Sequence, residues 1–243
     1  MASTDEPLEI PEWLKPYIVR EVTDSLTNLH LARLASDLRG TELSASSYLE
    51  KDFSIIPKHV LTGGPCSGKS TIMELLKKEF PNFNFVPEVA TIIIRQLGIF
   101  PGNDILSQFN FQRAIYRTQK LFEAISYQFA ISQNKNALIL DRGTWDGSVY
   151  LPEGRFEHAV GTTQFDEYSC YDSVIYLSVP PQEIYEMNKE NNPARTETYE
   201  QAFELGQKIY QAWKDHPSFH EVTSEIWEEK VQAVRNSLDM VKT

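Results

Sequence analysis

From residue 57 onward the chain alternates between two hydrophobic patterns. Short apolar runs at KHVLT (58–62), FNFVPE (83–88), NALILD (136–141), DSVIYLSV (172–179) and FHEVT (219–223) read as β-strands. Between them lie stretches of helical period. Residues 69–80 place Ile72, Leu75, Leu76 and Phe80 on one face. The run VATIIIRQL (89–97) has strand propensity, but it directly follows a predicted strand. Successive parallel strands need a crossover between them, so it is assigned as helix. Gly98 to Asn103 reads as a loop, and 105–133 as a long helix with Gln112, Arg113, Arg117 and Lys120 on a polar face. Helices follow at 180–190, which opens with prolines, at 199–216 and at 225–241. Strands separated by helices predict a doubly wound α/β fold, a parallel sheet with helices on both faces.

Residues 1–56 break that rhythm. Pro7, Pro11 and Pro16 make the first stretch extended or turn-rich. Leu26, Leu29, Leu31, Leu34 and Leu38 roughly follow a helical period, and 46–53 reads as a further helical turn. The expected organisation is a mostly helical N-terminal extension, 1–56, and an α/β domain, 57–243.

Charge and composition narrow the partners. A net charge of −11 offers no basic face for the backbone of a long nucleic acid, which disfavours nucleic-acid binding. No apolar run reaches membrane-spanning length, and the acidic start MASTDEPLEI lacks the apolar core of a signal peptide. Cys66 and Cys170 are too few for a disulfide framework and fit a reducing compartment. A cytoplasmic protein is expected.

The strongest chemical signal sits where the first strand meets the first helix. VLTGGPCSGKST (60–71) contains Gly63-x-x-x-x-Gly68-Lys69-Ser70, the P-loop pattern at every fixed position, in the strand–turn–helix context it requires. The stretch Gly63, Gly64, Pro65, Cys66, Ser67, Gly68, Lys69, Ser70 and Thr71 is expected to wrap a phosphate chain. Glycines permit the close approach, while inward N–H groups and the helix N-terminus supply positive potential. Lys69 then reaches the β- and γ-phosphates, and the Ser70 hydroxyl ligates Mg²⁺. The motif implies a nucleoside triphosphate, ATP or GTP. Cys66 occupies a variable position and reads as a small filler.

Further candidates cluster at strand ends, where a doubly wound sheet opens its ligand crevice. Asp141 ends the strand LILD and is placed to hold Mg²⁺ opposite Ser70. Arg142 follows and can clamp a phosphate or an acceptor, with Asp146 in the same mouth. Glu88 ends the second predicted strand and reads two ways. It is a base or binder for an attacking acceptor, or a helix N-terminal acid stabilised by the dipole. Arg95, Arg113 and Arg117 lie on predicted helices, as acceptor contacts or as solvated surface; Arg113 and Arg117 share a face. The polar loop NNPARTETYEQ (191–201) carries Arg195, as expected of a lid that closes over phosphates and excludes water. Its alternative is an ordinary loop with Thr196 or Thr198 as N-cap. NKNA (134–137) lacks the aspartate of the guanine-reading motif, no protein-kinase signature is present, and the histidines show no metal-ligand spacing.

Taken together, GGPCSGKST, VPEVAT, LDRGTWDGSVY and the lone-arginine loop before QKIYQAW resemble the NadR-type P-loop ATPase domain, the AAA_28 group, which is related to nucleoside and nucleotide kinases. The resemblance covers residues 57 to about 240, and the D-R-G-x-x-D element narrows it. It implies a three-layer, nucleotide-kinase-like P-loop NTPase core with five parallel strands and ATP or GTP binding. It also implies Lys69 and Ser70 on phosphates and Mg²⁺, Asp141 on the metal, Arg142 on the acceptor side and Arg195 in the lid. The lid departs from adenylate-kinase relatives, which carry several arginines there. LEIPEWLKPYIVREVTDSLTN (8–28) resembles the C-terminal end of CYTH, or triphosphate-tunnel, domains through Glu21-Val22-Thr23. A tunnel needs many strands, for which there is no room before residue 57, so 1–56 is read as an appendage.

The expected function is an Mg²⁺-dependent kinase that passes the γ-phosphate of ATP to a small acceptor such as a nucleoside or nucleotide. Lys69, Glu88, Asp141, Arg142 and Arg195 form its expected catalytic set. The alternative is a nucleotide-binding switch or regulatory NTPase, using ATP or GTP, that acts through a protein partner docked on residues 1–56. A polynucleotide end kinase would need a basic groove. The sequence leaves the acceptor, and the choice of ATP or GTP, open.

Overall fold

The structure is a computed structural model and describes residues 56–190 and 198–239. The helix and turn expected within 1–55, and Arg195, lie outside the described residues. The chain runs β1 (Lys58–Gly63), α1 (Lys69–Glu79), β2 (Phe83–Val86), α2 (Val89–Leu97), α3 (Ile105–Ser132) and β3 (Ala137–Asp141). After β3 come a 3₁₀ helix (Thr144–Tyr150), α4 (Arg155–Val160), α5 (Gln164–Tyr168) and β4 (Ser173–Leu177). It ends with α6 (Gln182–Glu190), α7 (Tyr199–Trp213), β5 (Phe219–Val222) and α8 (Trp227–Asp239).

The five strands form one sheet in the order β2-β3-β1-β4-β5, and every pairing is parallel. β1 is central: Val60 faces Leu140 on one side and Val174 on the other. Alternation of side chains divides the core in two. Val60, Leu138, Leu140, Val174 and Tyr176 join Trp145, Phe156, Ile209 and Trp213 on one face. Leu61, Ile139, Ile175 and Leu177 join Ile72 and Leu76 of α1 and Val231, Val234 and Leu238 of α8 on the other. Burying Ile72 and Leu76 stabilises this layer by about 1.5–3 kcal/mol each. Covered faces explain why every residue of β1, β3 and β4 is buried, without the alternation of a half-exposed strand. The assignment of 89–97 as helix holds: Val89 and Ile93 of α2 pack on Phe111 of α3.

Two differences from the sequence reading have physical causes. The 3₁₀ helix, α4 and α5 span 7, 6 and 5 residues, too short to print a helical period. The polar face of α3 is not simply solvated: Gln112, Gln119 and Glu123 are buried. Among the described residues no helix is long and apolar enough to cross a membrane.

Candidate functional site

The chain leaves β1 toward β2 on one side of the sheet, and after β3 crosses β1 to reach β4 on the other. That reversal opens a crevice beyond the C-terminal end of β1, where the 63–71 loop begins. Gly63 has φ 142°, and a Cβ there would lie 2.2 Å from the Leu177 carbonyl oxygen. Gly64 is required by packing instead, since a Cβ would meet Val179 Cγ2 at 2.5 Å. Cys66 packs in the core beside Tyr185 and Ala202, as a filler should. Gly68 caps α1, with Ser70 and Thr71 exposed in its first turn and Pro65 half-buried in the loop.

Lys69 is buried within this loop. Its ammonium donates to the carbonyls of Gly63 at 2.8 Å and Gly64 at 2.7 Å, and to Ser67 Oγ at 3.2 Å. Burial, and then the Arg142 charge, push its pKa down to about 7, against the opposing pull of Asp141, Glu88 and Asp146.

Those four neighbours form the rest of the cluster. Asp141, the last residue of β3, is buried, and its Oδ1 has no hydrogen-bond partner. Burial and the Glu88 charge raise its carboxyl to about 6. Arg142 adopts the left-handed region at φ 77°, uncommon for a side-chain-bearing residue. Its Nε donates to Glu88 Oε1 at 2.6 Å, and its Nη1 to Asp146 Oδ2 at 2.9 Å and, weakly, to the Gly63 carbonyl at 3.4 Å. Glu88 is the N-cap residue of α2, but its side chain makes no cap bond; Oε2 accepts from Thr91 Oγ1 at 2.6 Å. Burial pushes the Glu88 carboxyl up, but Arg142 and the Thr91 hydroxyl outweigh it and hold it at about 2.

The remaining sequence candidates are elsewhere or supporting. Asp146 is buried with both oxygens engaged: Oδ2 accepts from Thr62 Oγ1 at 2.7 Å and from Arg142, and Oδ1 from the Trp213 indole at 2.6 Å. Arg95 and Arg117 are exposed, and the Arg113 guanidinium lies 5.9 Å over the Phe109 ring. Thr198 caps α7 in a capping box with Gln201, as the ordinary-loop reading of 191–201 expects at that position.

The sequence reading missed the residues that hold the cluster from behind. Gln119 of α3 donates to the Arg142 carbonyl at 3.3 Å and to Glu123 at 3.0 Å. Glu167 of α5 accepts from Lys120 at 2.9 Å, from Tyr116 at 2.8 Å and from Thr144, two residues beyond Arg142. Beside the phosphate loop lies a cavity of about 320 Å³, lined by Ser178, Pro181, Tyr199, Phe203, Glu225 and Lys230 among others. Val179, which touches Gly64, also borders it.

The residues fit a divalent cation. A buried carboxylate oxygen without a partner, at the mouth of a phosphate-type loop, is a hard oxygen ligand held ready. Ser70, exposed on the first turn of α1, would supply a second oxygen, with other positions left to water and phosphate oxygens, as Mg²⁺ prefers.

The family model described as AAA domain, AAA_28, matches residues 58–230. The chain belongs to this family, as the resemblance implied. No curated protein matches it at a significant level. Among solved structures, deoxyadenosine kinase from M. mycoides with dCMP and dCDP bound aligns with a TM-score of 0.51 at 17% identity, over 75% of this chain and 99% of that one. NadR in complex with NAD and AMP-PNP aligns with a TM-score of 0.55 at 14% identity, over 76% of this chain. The match spans 50% of the NadR chain. At these identities the likeness establishes the fold: a P-loop, nucleotide-kinase type of three-layer domain.

Proposed function

We propose that the protein is an Mg²⁺-dependent kinase that transfers the γ-phosphoryl group of ATP to a small acceptor such as a nucleoside or nucleotide. The observation that carries this reading is the position of Arg142. A module that only binds a triphosphate needs the 63–71 loop. Here a guanidinium is additionally fixed between Glu88 at 2.6 Å and Asp146 at 2.9 Å, beside the Lys69 charge, at the ends of β2 and β3.

In this reading the loop N–H groups and Lys69 hold the β- and γ-phosphates, and negative charge developing on the transferred group is met by Lys69 and Arg142. Ser70 and Asp141 would hold Mg²⁺, which neutralises phosphate charge when bound. Glu88 orients the acceptor hydroxyl; ionised and tied to Arg142, it is better suited to accepting a hydrogen bond than to holding a proton. Arg195 lies outside the described residues, and its part in this reading rests on the sequence alone. Cys66 and Cys170 are not joined in a disulfide, which fits a cytoplasmic location. The neighbours' ligands, dCMP and dCDP in one and AMP-PNP and NAD in the other, support the choice of a nucleotide donor and a nucleoside-like acceptor.

The test is ADP release from ATP by the full chain, with and without a panel of nucleosides, nucleotides and pyridine nucleosides. Strong stimulation by one acceptor class is expected. Turnover indifferent to every acceptor removes the kinase reading and leaves a nucleotide-dependent switch.

A further inference from the structure

Lys230 lies on α8, far along the chain from the phosphate loop, and is only 5% exposed. Its ammonium reaches back beneath the loop. It donates to the Ser67 carbonyl at 3.5 Å and to the Ser178 carbonyl, one residue beyond β4, at 3.3 Å. Both are long, ion–dipole contacts. Desolvating a lysine on such long contacts is costly, so packing alone does not account for an ammonium at this position.

The Ser67 carbonyl shares its peptide plane with the Gly68 N–H. Gly68 is the N-cap of α1, at φ 95°. In a phosphate loop this N–H and those after it are the donors that take the anion. A positive charge on the carbonyl end of a peptide polarises it and strengthens the donor at the other end. The Ser178 contact fixes the same ammonium to the sheet, so the polarised peptide is held in place.

We propose that Lys230 is a positioning residue of the phosphate loop, which acts through the Ser67–Gly68 peptide to strengthen and orient the N–H donors that take a bound triphosphate. This rests on the reading of the loop as a triphosphate site. Lys230 also lines the cavity that holds Tyr199, Phe203 and Glu225, so direct contact with a nucleotide base is the competing role.

The two roles separate by ligand. Calorimetry on the full chain with Mg²⁺ would measure AMP-PNP affinity, and displacement of AMP-PNP would measure the affinity of inorganic tripolyphosphate, which has no base. Lys230→Met is expected to weaken both ligands by the same factor, about tenfold. Lys230→Arg should recover most of the affinity. Lys230→Gln, neutral but able to donate, should fall between; it serves as the test if the methionine variant does not fold. Wild-type affinity in the neutral variants overturns the proposal. So does a loss confined to AMP-PNP, which assigns Lys230 to the base. If the wild-type chain binds neither ligand, the triphosphate reading of the loop falls, and this inference falls with it.

Discussion

Trp213 donates its indole N–H to the Asp146 carboxylate at 2.6 Å, in the buried core. The donor ends α7 and the acceptor lies in the 3₁₀ helix after β3. The other carboxylate oxygen takes Thr62 of β1 and Arg142, so two distant stretches of chain, β1 and α7, fix the carboxylate that holds the guanidinium. Trp213→Phe keeps a ring in the core but leaves an Asp146 oxygen unpaired. A loss of about 1–3 kcal/mol is expected in urea unfolding, with an unchanged m-value.

Lys69 sits near the midpoint of its titration in the free protein, at about 7. A bound triphosphate favours the charged form, so its pKa rises on binding. At pH 8 the free group is mostly neutral and the bound group charged, so Mg·ATP binding should take up close to one proton. Calorimetry in two buffers of different ionisation enthalpy reads this directly. Lys69→Met should abolish both the uptake and ATP-dependent turnover, with the far-UV circular dichroism unchanged.

Asp141 is a carboxylate kept ionised against burial, with its pKa raised to about 6. The folded state therefore binds more protons than the unfolded state between the ordinary value of 3.8 and about 6, and stability falls as pH rises through that window. Asp141→Asn should remove this slope and melt no lower than wild type at pH 7. It should also move the Mg²⁺ titration of turnover to higher concentration. An unchanged titration would transfer the metal role to another residue.

Glu88 has the opposite sign. Its carboxyl is held at about 2, below the ordinary 4.5, so its pairing stabilises fully above 4.5 and is lost as pH falls toward 2. The stability difference between wild type and Glu88→Gln should be constant from pH 5 upward and shrink on acidification, measured by urea unfolding at each pH. Acceptor-dependent turnover of Glu88→Gln should fall on the order of 10²-fold or more, as expected for loss of the group that orients the acceptor hydroxyl.

The five strands and the longer helices from residue 57, the phosphate loop, and the placing of Asp141 and Arg142 at the end of a strand were legible in the sequence. Each rests on short-range regularity: period-switching, a fixed glycine spacing, an acid closing an apolar run. The short helices between β3 and β4 were not legible, and Glu88 is the N-cap residue of α2, two residues beyond β2, where the sequence pattern has it end the strand. Tertiary structure alone decided which groups face one another. Gln119 and Lys120 look like the solvated side of a long helix until Arg142, Thr144 and Glu167 are brought against them. Asp146 looks like a second acid in the mouth until Thr62 and Trp213 occupy it. Lys230 looks like one more surface lysine until α8 lays it under Ser67. In each case the partner lies on another element, across a sheet whose order β2-β3-β1-β4-β5 no local pattern encodes. A polar side chain carries no period that distinguishes water from a buried partner. That choice is made by the packing of the layers, which desolvates the group and supplies the hydrogen bond together.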